Sequence, residues 1–345
     1  MKAVVFEDLE KVRVDQVEEP RVEDDRDAVV RITTAAICGS DLHWYHGKAP
    51  MLPGEQLGHE GVGVVEEVGS GVEGFSAGDR VVIAFNIACG RCWFCQHEQT
   101  SLCDNFRNLG AGMAGDSPGG THAEKVRIPD ADTNLLKVPE GMDDEHAIFV
   151  GDILTTGYYG AAIAGIKPGD TVAVIGAGPV GFFAAQAARE HDPADVLVLD
   201  MQKDRLELCG SGMTAIDVSG QNAQMAVANR TDGRGADVVI EAVGNVPAFE
   251  SSLEVVRRGG TICIVGWYVT ETTELQIGMS WFRMLKYVFA GPTPVHAWWD
   301  KAMAAVAKGR IDPLPIISHT MPLDDAPKGY EMFANREATK VLLKP

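Results

Sequence analysis

Cys89, Cys92, Cys95 and Cys103 follow one another with the spacing C-x2-C-x2-C-x7-C. Thiolates packed so closely can converge on one cation. Tetrahedral zinc takes four of them and leaves no coordination position open, so the site would be closed and structural. The intervening Gly90, Arg91, Trp93, Gln96, His97 and Glu98 carry no core pattern, so four unrelated buried thiols do not explain the run. Thiolate ligands alone do not exclude iron; zinc is favoured. Seven cysteines in all is an odd number, and their crowding suits a metal site in a reducing compartment better than a disulfide framework. Cys209 and Cys263 fall outside every motif and read as small buried hydrophobes.

A second chemical signal is Gly176-Ala177-Gly178-Pro179-Val180-Gly181, which follows an apolar strand and opens a helix. That context gives a G-x-G-x-x-G run its meaning. Gly176 permits the tight turn, Gly178 lets the backbone approach a pyrophosphate, and Gly181 lets helix and strand pack closely, while the helix terminus offers free N–H groups. The next strand ends at Asp200, roughly 20 residues beyond Gly181, where a carboxylate accepts hydrogen bonds from an adenosine ribose and repels a 2'-phosphate. NAD is therefore expected over NADP. Arg205, shortly after that strand, is in reach of a phosphate or of the adenine face, or is simply an exposed helical arginine.

A third constellation is dispersed: Cys38 within Cys38-Gly39-Ser40-Asp41-Leu42-His43, and His59-Glu60 after Gly58. Taken singly, Cys38 reads equally as a buried thiol, His59 as a hydrogen-bonded core histidine and Glu60 as a surface charge.

The elements that position these groups differ between the two halves of the chain. The first half has short alternating or β-branched runs punctuated by glycine, over 3–6, 28–32, 61–68, 80–84 and 123–128, which predict an antiparallel, barrel-like domain. From Gly169 onward, strands predicted over 171–175, 196–199, 237–242 and 261–265 alternate with helical segments starting near Pro179, Asp204, Asn222 and Pro247. That alternation predicts a parallel sheet with helices on both faces. A helix over 296–308 and short segments up to Leu342 are expected to return to the first domain. With 46% hydrophobic residues in 345, two domains are the expectation.

The formal charge of −19 repels phosphate backbones and argues against nucleic-acid partners. The acidic stretch from Glu18 to Asp27 reads as a solvated loop. No apolar run approaches the roughly 18 residues of a membrane span, and no basic segment followed by an apolar one opens the chain, so a cytoplasmic protein away from membranes is expected.

Taken together, Gly58-His59-Glu60 through Gly63 and Gly69, the four-cysteine lobe and the turn Gly176 to Gly181 resemble, in order and over nearly the whole chain, the zinc-containing medium-chain dehydrogenase/reductase family of alcohol, sorbitol, threonine and formaldehyde dehydrogenases. The resemblance implies a GroES-like β-barrel catalytic domain (1–153 plus 292–345) and a Rossmann doubly wound, parallel-sheet domain (154–291), with the active site in the cleft between them. It implies two zinc ions per chain and NAD. One zinc lies in the cysteine lobe. The other takes Cys38, His59 and Asp152, where many members have cysteine at the last position, with Glu60 as a fourth ligand or a neighbour of the ligands.

The resemblance further implies that Ser40 and His43 relay the proton released by an alcohol, that Asp41 orients His59, that Phe85 and Leu154 line the substrate pocket, that Thr156 contacts the nicotinamide, and that Val265 and Gly266 face its ring. Gly39 departs from the animal alcohol dehydrogenases, which carry a basic residue there. The expected partner is a small alcohol or carbonyl substrate, and the expected assembly a homotetramer. Polyol, threonine and formaldehyde dehydrogenation are alternatives within the family: Trp44, Tyr45 and His46 favour the polyol type, Asp152 the bacterial secondary-alcohol type. A non-catalytic nucleotide-binding module is the alternative outside it, and the full set of metal-ligating residues weighs against that.

Overall fold

The computed structural model describes residues 1–110, 117–269, 272 and 274–345. The chain divides into two units, Met1–Asp152 with Pro294–Pro345, and Ile153–Thr293.

The first unit is built on a seven-stranded sheet in the spatial order His319–Pro322, Val341–Lys344, Ala28–Ile37, Glu60–Val68, Arg80–Ile83 and Leu135–Lys137, with Lys125–Ile128 also paired to Ala28–Ile37. All pairs are antiparallel except His319–Pro322 with Val341–Lys344. The strand predicted over 28–32 continues to Ile37, because Thr33 to Ile37 extend the run of β-branched and small residues. One core unites both chain ends: Val30, Ile37 and Val81 share it with Tyr330, Phe333 and Leu343. Each large apolar side chain buried there contributes about 1.5–3 kcal/mol, which fixes the C-terminal return onto the N-terminal sheet.

The second unit is a six-stranded parallel sheet in the order Thr214–Asp217, Asp195–Asp200, Thr171–Ile175, Ala236–Glu241, Val256–Ile264 and Lys286–Phe289. Within this unit the order is 3-2-1-4-5-6, a doubly wound sheet whose direction reverses between Thr171–Ile175 and Ala236–Glu241, and ligands of such sheets bind beyond the strand ends at that reversal. The four predicted strands are its centre. The outer two, Thr214–Asp217 and Lys286–Phe289, carry polar residues within four-residue runs, so the apolar signal that marks the inner strands is diluted at the edges.

Among the described residues no helix is long and apolar enough to cross a membrane.

Candidate active site and metal centres

Strand register brings Cys38, His59 and Asp152 together. Ala28–Ile37 pairs antiparallel with Glu60–Val68 so that Ala36 faces Glu60, which leaves Cys38 and His59 as neighbours just beyond the paired ends. Gly61 in turn faces Ile83, and the Phe85 amide donates to the Gly151 carbonyl at 3.0 Å, which draws Asp152 to the same end of the sheet. Gly58 holds a φ of +95°, in the left-handed region, and a Cβ there would strike the His122 ring; only glycine delivers His59 at this angle.

One ligand atom from each of the three residues lies within 4.8 Å of the other two, and all three residues are buried. Cys38 Sγ is 3.6 Å and His59 Nε2 3.2 Å from Asp152 Oδ2. Zinc bonds of about 2.0–2.3 Å in a tetrahedron predict edges of about 3.4–3.6 Å for these atom pairs, so the donors are spaced as a zinc ion needs them. Burial, with Glu60 and Asp152 nearby, pushes the Cys38 thiol above its usual range. Burial opposes charging of His59, yet Asp41 and Cys38 outweigh it and raise the imidazole well above its usual value. A divalent cation inverts both tendencies, deprotonating the thiol and taking up the imidazole lone pair.

Around these donors, Asp41 is fully buried; its Oδ2 accepts the Cys38 amide at 2.8 Å and its Oδ1 stands 3.2 Å from His59 Nδ1. The latter is a charge contact without hydrogen-bond alignment. Ser40 precedes the helix Asp41–Tyr45 but does not cap it; its Oγ lies 3.2 Å from Cys38 Sγ and 3.0 Å from His59 Nε2. His43 is one turn along that helix, and burial lowers its pKa to about 4. His122, also fully buried, sits 3.0 Å from the Ala36 carbonyl through Nε2 and 3.0 Å from the buried Tyr330 hydroxyl through Nδ1.

Glu60, the fourth candidate ligand, is not gathered with the three donors. Successive residues entering a strand point to opposite sides, and the Glu60 carboxylate lies 2.5 Å from Nζ of Lys340. Both side chains have no exposed surface. Lys340 escaped the sequence reading because a lysine is ordinarily exposed; its only signal was its place before the returning strand.

The four-cysteine lobe is closed. The Sγ atoms of Cys89, Cys92, Cys95 and Cys103 lie within 4.8 Å of one another, with Cys92 at 3.5 Å from Cys95 and 3.9 Å from Cys103. A zinc tetrathiolate has S···S edges of about 3.8 Å. All four are free thiols, and the amides of Cys89 and Asn105 point at Cys103 Sγ, each at 3.3 Å. Asn134 joins the lobe to the sheet: its Oδ1 accepts the Ala88 amide and its amide nitrogen donates to the Ala88 and Pro129 carbonyls. His296 bridges Thr100 Oγ1 at 2.9 Å and Asn134 Oδ1 at 2.8 Å. Neither of these two tethers was recognisable from sequence.

In the second unit the glycine turn connects Thr171–Ile175 to the helix Pro179–Ala188. Gly176 has φ +97°, a Cβ on Gly181 would collide with the Gly176 carbonyl, and Gly178 has nothing within 4 Å of a virtual Cβ except an Arg205 guanidinium nitrogen at 3.6 Å. Pro179 and Val180 form the first helical positions. Asp200 accepts the Ala177 amide at 2.6 Å and the Gln202 amide at 2.8 Å, so its carboxylate stands beside the turn. The amides of Val265 and Gly266 both donate to the Glu241 carbonyl, at 2.8 and 3.0 Å. Glu241 itself, fully buried and not singled out from sequence, accepts the Val243 and Gly244 amides and the Tyr268 hydroxyl. Thr156 is half-buried on the helix Ile153–Ile163.

Two family models match the chain: the alcohol dehydrogenase GroES-like domain over residues 24–140 and the zinc-binding dehydrogenase domain over 179–305. A zinc-type alcohol dehydrogenase-like protein of Bacillus subtilis is 35% identical, with both chains covered over their full length. The structure is similar to the alcohol dehydrogenase of Thermus sp. ATN1, at 43% identity and a TM-score of 0.95 over 100% of this chain and 99% of that one. It is also similar to a zinc-binding dehydrogenase of Sinorhizobium meliloti bound to NADP, at 32% identity and a TM-score of 0.87, covering 100% and 99%. The full-length likenesses span the three-donor cluster, the thiolate lobe and the glycine turn alike, and the chain belongs to the zinc-containing medium-chain dehydrogenase/reductase family, with a GroES-like domain and a Rossmann domain.

Proposed function

We propose that the chain is a zinc-dependent alcohol dehydrogenase that transfers a hydride between the carbinol carbon of a primary, secondary or polyhydric alcohol and NAD, giving an aldehyde or ketone. The observation that carries this reading is the convergence of Cys38 Sγ, His59 Nε2 and Asp152 Oδ2, a set that no fourth cysteine, histidine or carboxylate joins among the described residues.

Cys38, His59 and Asp152 would hold the ion, and Asp41 would keep Nε2 of His59 turned toward it. A zinc ion bound there supplies Lewis-acid polarisation of the substrate oxygen. Ser40 Oγ, beside two of the donors, is placed to take the alcohol proton. His43, three residues on, receives it; with its pKa near 4 the ring is neutral at working pH and passes the proton on rather than storing it. Cys89, Cys92, Cys95 and Cys103 would hold the second zinc as a structural ion.

Gly176, Gly178 and Gly181 give the pyrophosphate its cradle, and Asp200 favours NAD by repelling a 2'-phosphate. A second reading, NADP, draws on Arg205, whose guanidinium lies over Gly178 in the same turn. Assembly of copies into a homotetramer belongs to the proposal as well. It is supported by the exposed Ile277, Trp281, Phe282 and Phe289 around the outermost strand Lys286–Phe289.

The test is an absorbance screen of primary and secondary alcohols, polyols and threonine with NAD or NADP, and of aldehydes, formaldehyde included, with both reduced and oxidised nucleotide. Alcohol oxidation with NAD is expected. Absence of turnover with every pair would contradict the proposal, and turnover with NADP alone would overturn its choice of nucleotide.

A further inference from the structure

Lys340 is a fully buried lysine whose charge meets a fully buried carboxylate next to a metal-ligating histidine. A buried ion pair is weak evidence for stability, because desolvating two charges offsets their attraction. Its place needs another reason. The strand Val341–Lys344 pairs antiparallel with Ala28–Ile37 so that Val341 faces Ile37, which sets Lys340 beside the turn that carries Cys38. The main chain of Lys340 is pinned there: Ser318 donates to its carbonyl through both amide and hydroxyl, at 3.0 Å each, and the Lys340 amide donates back to Ser318 Oγ at 3.2 Å. The ammonium lies over the Phe149 ring, 5.5 Å from its centre.

Glu60 has little else to hold it. Among the described residues, neither of its oxygens has an aligned hydrogen bond, and neither has Lys340 Nζ; they are held by charge alone, at 2.5 Å. Without that ammonium, Glu60 would be a buried carboxylate with no partner, a state costly enough to draw it to the nearest cation. The nearest would be the ion held by its sequence neighbour His59.

We propose that Lys340 is a positioning residue for the metal centre: it draws the Glu60 carboxylate away from the set formed by Cys38, His59 and Asp152 and so keeps the remaining coordination position free for substrate. This rests on the zinc reading of those three residues. Lys340 is separated from Cys38, His59 and Asp152 by most of the chain, and only the C-terminal strand returns it to them.

The experiment uses cobalt-exchanged full-length protein, with the visible spectrum of the Cys38→Ser variant, loaded only in the cysteine lobe, subtracted. Imidazole is the neutral probe of the open position. Wild type and Lys340→Arg should both respond to imidazole. Lys340→Met should show an altered cobalt spectrum before any addition and bind imidazole at least about tenfold more weakly. Lys340→Met/Glu60→Gln should return to within about twofold of wild type, since the removed pair leaves nothing to enter the site. Glu60→Gln alone should leave the spectrum as it is.

A Lys340→Met protein with wild-type spectrum and imidazole affinity would overturn the proposal, as would failure of the double variant to restore them. If Lys340→Met does not fold, Glu60→Gln decides: a changed spectrum means that Glu60 already ligates the metal and that Lys340 does not hold it off. Wild-type protein that takes up cobalt in the cysteine lobe alone would instead sink the zinc reading itself.

Discussion

The buried Asp41 carboxylate stands 3.2 Å from Nδ1 of His59 with one oxygen and accepts the Cys38 amide with the other. A single side chain thereby orients two of the three donors. Replacing it by asparagine keeps the volume and removes the charge that sets the imidazole. Asp41→Asn is expected to weaken metal binding at the three-donor site by about 10–100-fold, the usual cost of losing a group that orients a ligand. Chelator competition on the purified protein measures this. Unchanged affinity would show that Asp41 serves only the turn.

His296 gives a pH dependence with a definite sign. Burial holds its pKa at about 3, against 6.5 for the unfolded chain, and its neutral ring suits Thr100 on one nitrogen and Asn134 Oδ1 on the other. Below pH 6.5 the unfolded state binds a proton that the folded state refuses, so stability falls as pH drops from 6.5 toward 3 and is unaffected above 6.5. The loss is on the order of 1–2 kcal/mol by pH 5. The unfolding free energies from urea titrations at pH 7 and pH 5 should differ by about that much less in His296→Gln than in wild type. Equal falls in both proteins would place the titration of His296 in its ordinary range.

Asp200 and Arg205 both stand at the glycine turn, and in the proposed nucleotide site they would pull the preference in opposite directions. Asp200→Gly removes the carboxylate that repels a 2'-phosphate and should narrow the ratio of kcat/KM for NAD over NADP by roughly 10–100-fold, about one to two charge-assisted contacts. Arg205→Ala should widen it. Steady-state kinetics with both nucleotides reads each change, and an unaltered ratio in both variants would place nucleotide selection elsewhere.

The inner strands of the parallel sheet, and Ala28–Ile37, Glu60–Val68 and Arg80–Ile83 in the other, were legible because apolar runs bounded by glycine mark buried strands, whereas the inner strand Val341–Lys344 was not; the turn from Gly176 to Gly181 was legible because each of its glycines answers a separate steric demand. The cysteine lobe was legible for the same reason: its partners are local. What stayed hidden depends on register between distant segments. Lys340 meets Glu60 because Val341 faces Ile37, and His296 meets Asn134 because a C-terminal helix returns to the first unit. Neither residue type signals burial, and neither pairing has a spacing to read. Glu60 shows the converse, since the resemblance left it either a fourth ligand or a neighbour of the ligands, and strand alternation turns it to Lys340.

Metal analysis of wild type beside Cys38→Ser tests the proposed chemistry most directly. The expected result is two zinc ions per chain in the wild type and one, retained by the cysteine lobe, in a folded Cys38→Ser protein. Alcohol turnover should fall by roughly 1,000-fold or more, the several kcal/mol that Lewis-acid polarisation contributes. One zinc per wild-type chain, or a Cys38→Ser protein that keeps both its second zinc and its turnover, would contradict it.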